Sequence, residues 1–279
     1  RVESKVKKLI LGSGKVSQIF YSLDPDNTRV VPRTECDITE YNEVLSTLRR
    51  YSPEVIINCA AKTNLEYCEE EKALALCVNT LGPVNVINAC NDLKIKLVHI
   101  SSGCLFDGND KMSTEDSDPT PSVWYTWTKK WADEALLSHE YDNVLILRPR
   151  QLVSKEVHPS NLITKFLGFS EITAIDEENS ITCIEDLYEM MEHLLSKKET
   201  GVFNCANSGI TTPYEISLMI KDKLKPEIKV TKVKYEELLK KMPNRRVNTI
   251  LSIDKLVSSG YTPRHAKDAV EWCLENYDK

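Results

Sequence analysis

None of the nine cysteines forms a Cys-x-x-Cys pair, so neither a zinc ribbon nor a thioredoxin-type motif is present, and no metal site is expected. A basic excess is missing too. The net charge of −6 argues against a nucleic-acid surface, although single Arg and Lys residues can still grip a small anion inside an acidic protein. No apolar run approaches the ~18 residues that span a bilayer, so no membrane segment is expected. The start, "RVESKVKKLILGSG", has a charged lead and only a short apolar stretch, unlike a signal peptide, and its first residue is Arg, as in a trimmed chain. Internal repeats, low-complexity tracts and Pro/Gly-rich linkers are absent, which argues against a tethered module. Glycine is scarce, at nine residues in 279.

What is present describes an ordinary globular chain, 41% hydrophobic and 28% charged, long enough for one large domain or a domain with a smaller lobe. The cysteines lie in apolar stretches such as "IINCAA" and "VFNCAN", as buried thiols of a reducing compartment do, so the cytoplasm is expected. Near-continuously apolar runs at 7–12, 28–31, 54–60, 96–101 and 143–148 suit strands covered on both faces. Helical patterns at 14–23, 39–51, 70–93 and 124–139 alternate with them, which predicts an α/β doubly wound parallel sheet of the Rossmann kind. After residue 149 the pattern loosens: helices at 159–167, 183–197, 212–224, 234–241 and 264–277, and a strand at 201–206. The expected division is a dinucleotide-binding domain over 1–149 and a smaller C-terminal α/β substrate lobe over 150–279, with some chain exchange around 201–206.

Two of the scarce glycines end the first strand, as Gly12-x-Gly14-x-x-Ser17. Such a turn lets backbone approach a pyrophosphate, and Ser13, Gly14, Lys15 and Val16 would open a helix whose free N–H groups favour an anion. A plain strand-to-helix turn is the alternative. After the second strand comes Arg33 where an acid would read a ribose, which suits the 2′-phosphate of NADPH over NADH, or else a solvated surface Arg. Asp37 and Ile38 are placed to bond and cover an adenine, although "DIT" also reads as a helix N-cap. Ala60 and Ala61, followed by Lys62, leave room at the end of the third strand.

The fourth strand runs into "HISSGCLFDG", and Tyr125 and Lys129 follow in "SVWYTWTKKWADE". About one Tyr-x-x-x-Lys is expected by chance in such a composition, so the spacing alone decides nothing. Its context decides more. Residues four apart share a helix face with Cβ atoms ~5–6 Å apart. A phenol with a reference pKa of ~10 can protonate a developing alkoxide near neutral pH when a cation stands beside it. Ser102 can hold the carbonyl oxygen.

In order along the chain, the Gly-rich turn, "INCAAKT", "VNTLGPVNV", "HISSGCLFDG", "YTWTK" and "LRPR" resemble the extended short-chain dehydrogenase/reductases over essentially the whole length. The resemblance implies a catalytic triad of Ser102, Tyr125 and Lys129, with Asn79 steadying the active-site helix. "STEDSDPTPSVWYTWTKKWADEALL" is similar to the dTDP-4-dehydrorhamnose reductases. The segments "SGCLFDG", "SNLITKF" and "GVFNCANSGITTPYEI" look closer to the plant-type UDP-4-keto-6-deoxyglucose 3,5-epimerase/4-reductases. In that branch a cysteine and a second proton carrier epimerise beside the ketone, roles that fall here on Cys104 and Lys165. Arg245 and Arg246 resemble the cluster gripping the nucleotide diphosphate, and Arg150 and Asn161 join them as implied substrate contacts.

Each residue has a plainer alternative: an inert thiol for Cys104, a surface lysine for Lys165, a solvated pair for Arg245 and Arg246. His158 reads as a loop residue, and Trp124 and Trp127 as packing. The glycine turn is one residue shorter than the family's usual form, and Ser17 replaces its last glycine. Gly103 and Cys104 stand where related 4,6-dehydratases carry Asp-Glu, which argues against dehydration. The resemblance therefore implies NADPH-dependent 4-keto reduction of a nucleotide-diphosphate sugar, with 3,5-epimerisation. The alternatives are a reductase alone, or a binding module like the β subunit of methionine adenosyltransferase. A homodimer is an open expectation.

Overall fold

A computed structural model describes residues 6–108, 112–242 and 244–278. The charged lead at 1–5 lies outside them. The first half of the chain runs β1 (Lys8–Leu11), α1 (Lys15–Leu23), β2 (Thr28–Val31), α2 (Tyr41–Tyr51), β3 (Val55–Asn58), α3 (Leu65–Glu70), α4 (Lys72–Leu76), a π-helical turn (Cys77–Leu81), α5 (Gly82–Leu93), β4 (Lys96–Ile100), a 3₁₀ turn (Gly103–Leu105), α6 (Trp124–Leu137) and β5 (Val144–Pro149). The second half runs β6 (Leu152–Val153), α7 (Leu162–Leu167), β7 (Glu171–Ile175), β8 (Thr182–Cys183), α8 (Ile184–Ser196), β9 (Gly201–Cys205), α9 (Pro213–Lys223), β10 (Lys229–Val233), α10 (Tyr235–Leu239), α11 (Asp254–Ser258) and α12 (Ala266–Glu275).

The chain forms two compact units. The first comprises residues up to Leu105, Pro121–Arg148 and Lys198–Phe203; the second comprises Phe106–Thr120, Pro149–Lys197 and the chain from Asn204 on. The first unit is built on a six-stranded sheet of order β2-β1-β3-β4-β5-β9, in which β2, β1, β3, β4 and β5 pair in parallel. Leu9, Leu11, Ile56, Leu97 and Ile146 join Val44, Leu48, Val86 and Ile87 of α2 and α5 in one core. The alternate residues Ile10, Ile57, Val98 and Leu147 are equally buried. Strands apolar on both sides require helices on both sides, and the doubly wound fold supplies them. The order reverses between β1 and β3, and the crevice of such sheets opens at the carboxyl ends of those two strands.

Two expectations need correction. The helix expected over 70–93 begins earlier, because the Asn64 side chain accepts from the Tyr67 N–H and caps α3, and the chain breaks at Glu71 before the run continues. That run, Lys72–Leu93, is also long and apolar enough by length and composition to cross a membrane, which the sequence expectation denied. Its apolar residues include Ala75, Val86, Ile87 and Cys90, all fully buried in the protein.

The second unit packs Val153, Ile163, Cys183, Ile216, Ile220, Val270 and Leu274 into one core. Two-stranded parallel pairs, β7 with β10 and β6 with β8, went unseen in the sequence. β6 and β8 are two residues long, and β10 carries two exposed lysines, Lys229 and Lys232, that interrupt any apolar alternation. Gly108, at φ +82°, lies where any Cβ would strike the Asn248 carbonyl, so the glycine closing "LFDG" is required for that close approach.

Candidate active site

At the end of β1 the backbone of Gly12 turns to φ +95°, and a Cβ there would meet the Ala60 backbone at 2.9 Å. Gly12 is therefore fixed by its own conformation and by the neighbouring strand end. Gly14 differs: nothing lies within 4 Å of a Cβ placed there. It precedes α1 as an N-cap without a side-chain hydrogen bond, and the first turn of α1 holds no acid. Open space, uncapped N–H groups and the absence of negative charge fit a diphosphate at this turn. Ser13 is exposed, and Lys15 and Val16 are half-buried.

Arg33 is exposed and pairs with Asp37 at 2.8 Å. Burial raises the Asp37 pKa, but hydrogen bonds from the Thr39 N–H and hydroxyl, with the Arg33 guanidinium, outweigh it and hold the carboxyl below its ordinary range. Ile38 is a core residue lying against Gly82. Beyond β3, a cavity of about 530 Å³ is lined by Ala61, Lys62, Thr63, Asn64, Tyr67 and others. Asn79 clamps this loop from the π-helical turn. Its Oδ1 accepts from the Lys62 N–H at 2.7 Å, and its Nδ2 donates to the Lys62 carbonyl at 2.9 Å and to Thr128 Oγ1 at 3.1 Å. Thr128 in turn donates to the Tyr125 carbonyl, so Asn79 joins the loop after β3 to α6.

The start of α6 is fixed by Glu69, which accepts from the Trp124 N–H at 2.6 Å, and by Thr126 Oγ1, which accepts from the Val123 N–H. Tyr125 and Lys129 follow one turn apart and are both buried. Lys129 is 1% exposed, and its Nζ donates to the Ile100 carbonyl at 2.9 Å, at the end of β4. Burial lowers its pKa to about 8, against the raising influence of Asp133 and Cys59. Ser102, just past β4, is buried, and its Oγ accepts from the Cys104 N–H at 3.1 Å. Half-buried Cys104 packs in the same apolar cluster as Tyr125, Val123 and Cys68. Trp124 and Trp127 both pack on Trp131 with ring centroids 5.5 Å apart.

Two neighbours of Lys129 escaped the sequence reading. His99 lies 3.4 Å from its Nζ through Nε2, and Asn58 lies 3.2 Å from the other ring nitrogen of His99. The signal was there to find: Asn58 and His99 are buried polar residues within the otherwise apolar runs "VIINCA" and "LVHI". Burial, then the Lys129 charge, hold His99 well below its ordinary pKa, so the imidazole is neutral.

The remaining predicted residues belong to the second unit. Arg150 is buried; its guanidinium donates to the Val247 carbonyl, beside Arg246 in sequence. Arg245 is exposed, and Arg246 donates to the Asn244 carbonyl at 3.1 Å. Asn161 is fully buried: its Nδ2 donates to the Ser154 and Glu156 carbonyls, and its Oδ1 has no hydrogen-bond partner. Lys165 is exposed on α7, and the His158 ring accepts within its own turn from Ser160. All nine cysteines are free, with Cys59, Cys77 and Cys104 half-buried and the others buried.

Comparison with known proteins agrees with this architecture. Residues 9–279 match the family model described as RmlD substrate binding domain. A trifunctional UDP-glucose 4,6-dehydratase/UDP-4-keto-6-deoxy-D-glucose 3,5-epimerase/UDP-4-keto-L-rhamnose-reductase of Arabidopsis thaliana is 26% identical over 78% of this chain, which spans only 34% of that enzyme. Protein L780 of Acanthamoeba polyphaga mimivirus is 31% identical over 70% of both chains. Among solved structures, dTDP-4-dehydrorhamnose reductase from Bacillus anthracis in complex with NADP superposes with a TM-score of 0.88 at 24% identity, covering 98% of this chain and 99% of that one. With its family match running from β1 to the last residue, the chain belongs to the RmlD substrate-binding-domain family.

Proposed function

We propose that this protein is an NADPH-dependent reductase of the 4-keto group of a nucleotide-linked 6-deoxyhexose, and also its 3,5-epimerase, giving an activated sugar such as UDP- or dTDP-L-rhamnose. The observation that carries the reading is the buried Lys129 ammonium one helical turn from Tyr125, on a helix packed against the turn that follows Ser102. The relatives' printed activities and the NADP of the Bacillus anthracis structure support it.

In this reading Gly12, Ser13, Gly14, Lys15 and Val16 hold the diphosphate of NADPH, Arg33 its 2′-phosphate, and Asn79 the loop of Ala60, Ala61 and Lys62 beside it. NADPH supplies the hydride that reduces the carbonyl carbon. Ser102 orients the carbonyl oxygen, and Tyr125 protonates that oxygen as the alkoxide forms. The Lys129 ammonium eases departure of the phenolic proton. Cys104 and Lys165 exchange the acidic protons on the carbons flanking the ketone, and Arg150, Asn161, Arg245 and Arg246 of the 150–279 lobe bind the nucleotide sugar.

Two measurements test this. NADPH oxidation is followed against UDP-, dTDP- and GDP-4-keto-6-deoxysugars, with Tyr125→Phe as control; turnover undiminished by this substitution contradicts the reading. Incubation in D₂O without NADPH isolates epimerisation. Deuterium beside the ketone that disappears in Cys104→Ala supports it, whereas no incorporation by the unaltered protein leaves a reductase alone.

A further inference from the structure

Behind Lys129 runs a buried chain of hydrogen bonds whose direction is set by a backbone group. The Ala60 N–H lies 3.2 Å from Asn58 Oδ1. A backbone N–H can only donate, so the oxygen of the Asn58 amide must face Ala60 and the NH₂ must face His99. That NH₂, 3.2 Å from Nδ1, can only donate as well, so Nδ1 carries the lone pair. The neutral imidazole then bears its single proton on Nε2, the atom turned toward Lys129. Its separation from Nζ is 3.4 Å, long beside the 2.9 Å bond from Nζ to the Ile100 carbonyl, as expected where two donors face each other.

We propose that Asn58 and His99 are positioning residues acting through Lys129: Asn58 locks His99 as the Nε2–H tautomer, so the imidazole offers the ammonium a donor in place of a lone pair and eases its deprotonation. An ordinary satisfied core histidine would accept from the lysine and stabilise its charge. The charged and titratable groups facing Lys129 are Asp133 on its own helix, itself held by Arg148 of β5, Cys59 after β3 and His99 on β4. Among these, His99 alone has a polarity fixed from outside, by Ala60 through Asn58. For turnover, the consequence rests on the reductase reading above; for the tautomer and the lysine it does not.

The test uses magnetic resonance on the full chain. Long-range nitrogen–proton correlations of its five histidines report which nitrogen of His99 is protonated, and the Lys129 ε-carbon shift follows its titration. The unaltered protein should show protonated Nε2 and bare Nδ1 near neutral pH; protonated Nδ1 overturns the proposal. In Asn58→Asp the carboxylate accepts from both Ala60 and Nδ1–H, so the tautomer should flip. Lys129 should then titrate about one unit higher, a tenfold change in proton concentration. Asn58→Ala, which adds no charge, should move it in the same direction. A Lys129 titration unmoved in both variants overturns the proposal, and if neither variant folds, the spectrum of the unaltered protein decides. Absence of turnover with every nucleotide sugar would sink the reductase reading and leave these resonances to judge the tautomer.

Discussion

Gly12 and Ala60 approach so closely that a Cβ on Gly12 would lie 2.9 Å from both the Cα and the N of Ala60. Because Gly12 also holds φ +95°, Gly12→Ala combines backbone strain with a clash against backbone that cannot swing aside. A loss of about 1–3 kcal/mol is expected, seen as a lower melting temperature. Gly14→Ala makes the contrast, since Gly14 has φ −76° and open surroundings. It should melt within about 0.5 kcal/mol of the unaltered protein yet bind NADPH more weakly by fluorescence titration. Equal affinity in Gly14→Ala would move the diphosphate away from this turn.

The contrast also marks what could be read in advance. Two scarce glycines at the end of an apolar strand indicated the turn, and uninterrupted apolar runs indicated strands covered on both faces. The same logic, applied to interruptions of those runs, would have exposed Asn58 and His99. Which neighbour they serve depends on β3 lying beside β4 and on Lys129 of α6 reaching the end of β4, a tertiary fact with no local signature. Likewise "EITAI" and "KVTKV" are each rich in β-branched residues, but β7 and β10 pair across more than fifty residues of sequence.

In the proposed reaction, the lowered pKa of Lys129 sets a pH limit on turnover. Below about 8 the group is an ammonium, and it loses its charge as pH rises through that value. Turnover that depends on the cation should therefore fall above pH 8, tenfold for each further unit, with NADPH binding measured in parallel to exclude loss of cofactor. A kcat flat from pH 7 to 10 would remove Lys129 from the proton chemistry. Tyr125→Phe should lower kcat by roughly 10²–10⁴ at all pH values.

His99 limits the fold from the acid side. Its folded pKa lies below the unfolded value, so the unfolded chain binds a proton that the folded chain refuses. Stability is fully present above about pH 6.5 and is lost as pH falls toward the folded pKa, at about 1.4 kcal/mol per unit for this one group. Denaturant unfolding between pH 7 and 5 measures the slope. His99→Gln should make it shallower by one proton, and an unchanged slope would show that the imidazole titrates freely.

Arg148 and Asp133 join β5 to α6 with a 2.9 Å bond between side chains only 4% and 2% exposed. Such a pair is costly to break from one side, because the remaining charge stays buried without its partner. Asp133→Ala should therefore destabilise by about 3–5 kcal/mol, and Arg148→Ala by a similar amount. Asp133 also stands one turn beyond Lys129 and raises its pKa, so its loss should shift the basic limb of the activity profile downward wherever the variant remains folded. Replacing both partners with leucine should recover most of the stability while keeping that downward shift. This outcome separates the two roles of Asp133: the ion pair belongs to the fold, and the charge facing Lys129 belongs to the chemistry. A double variant with restored stability and an unmoved limb would assign Asp133 to the fold alone.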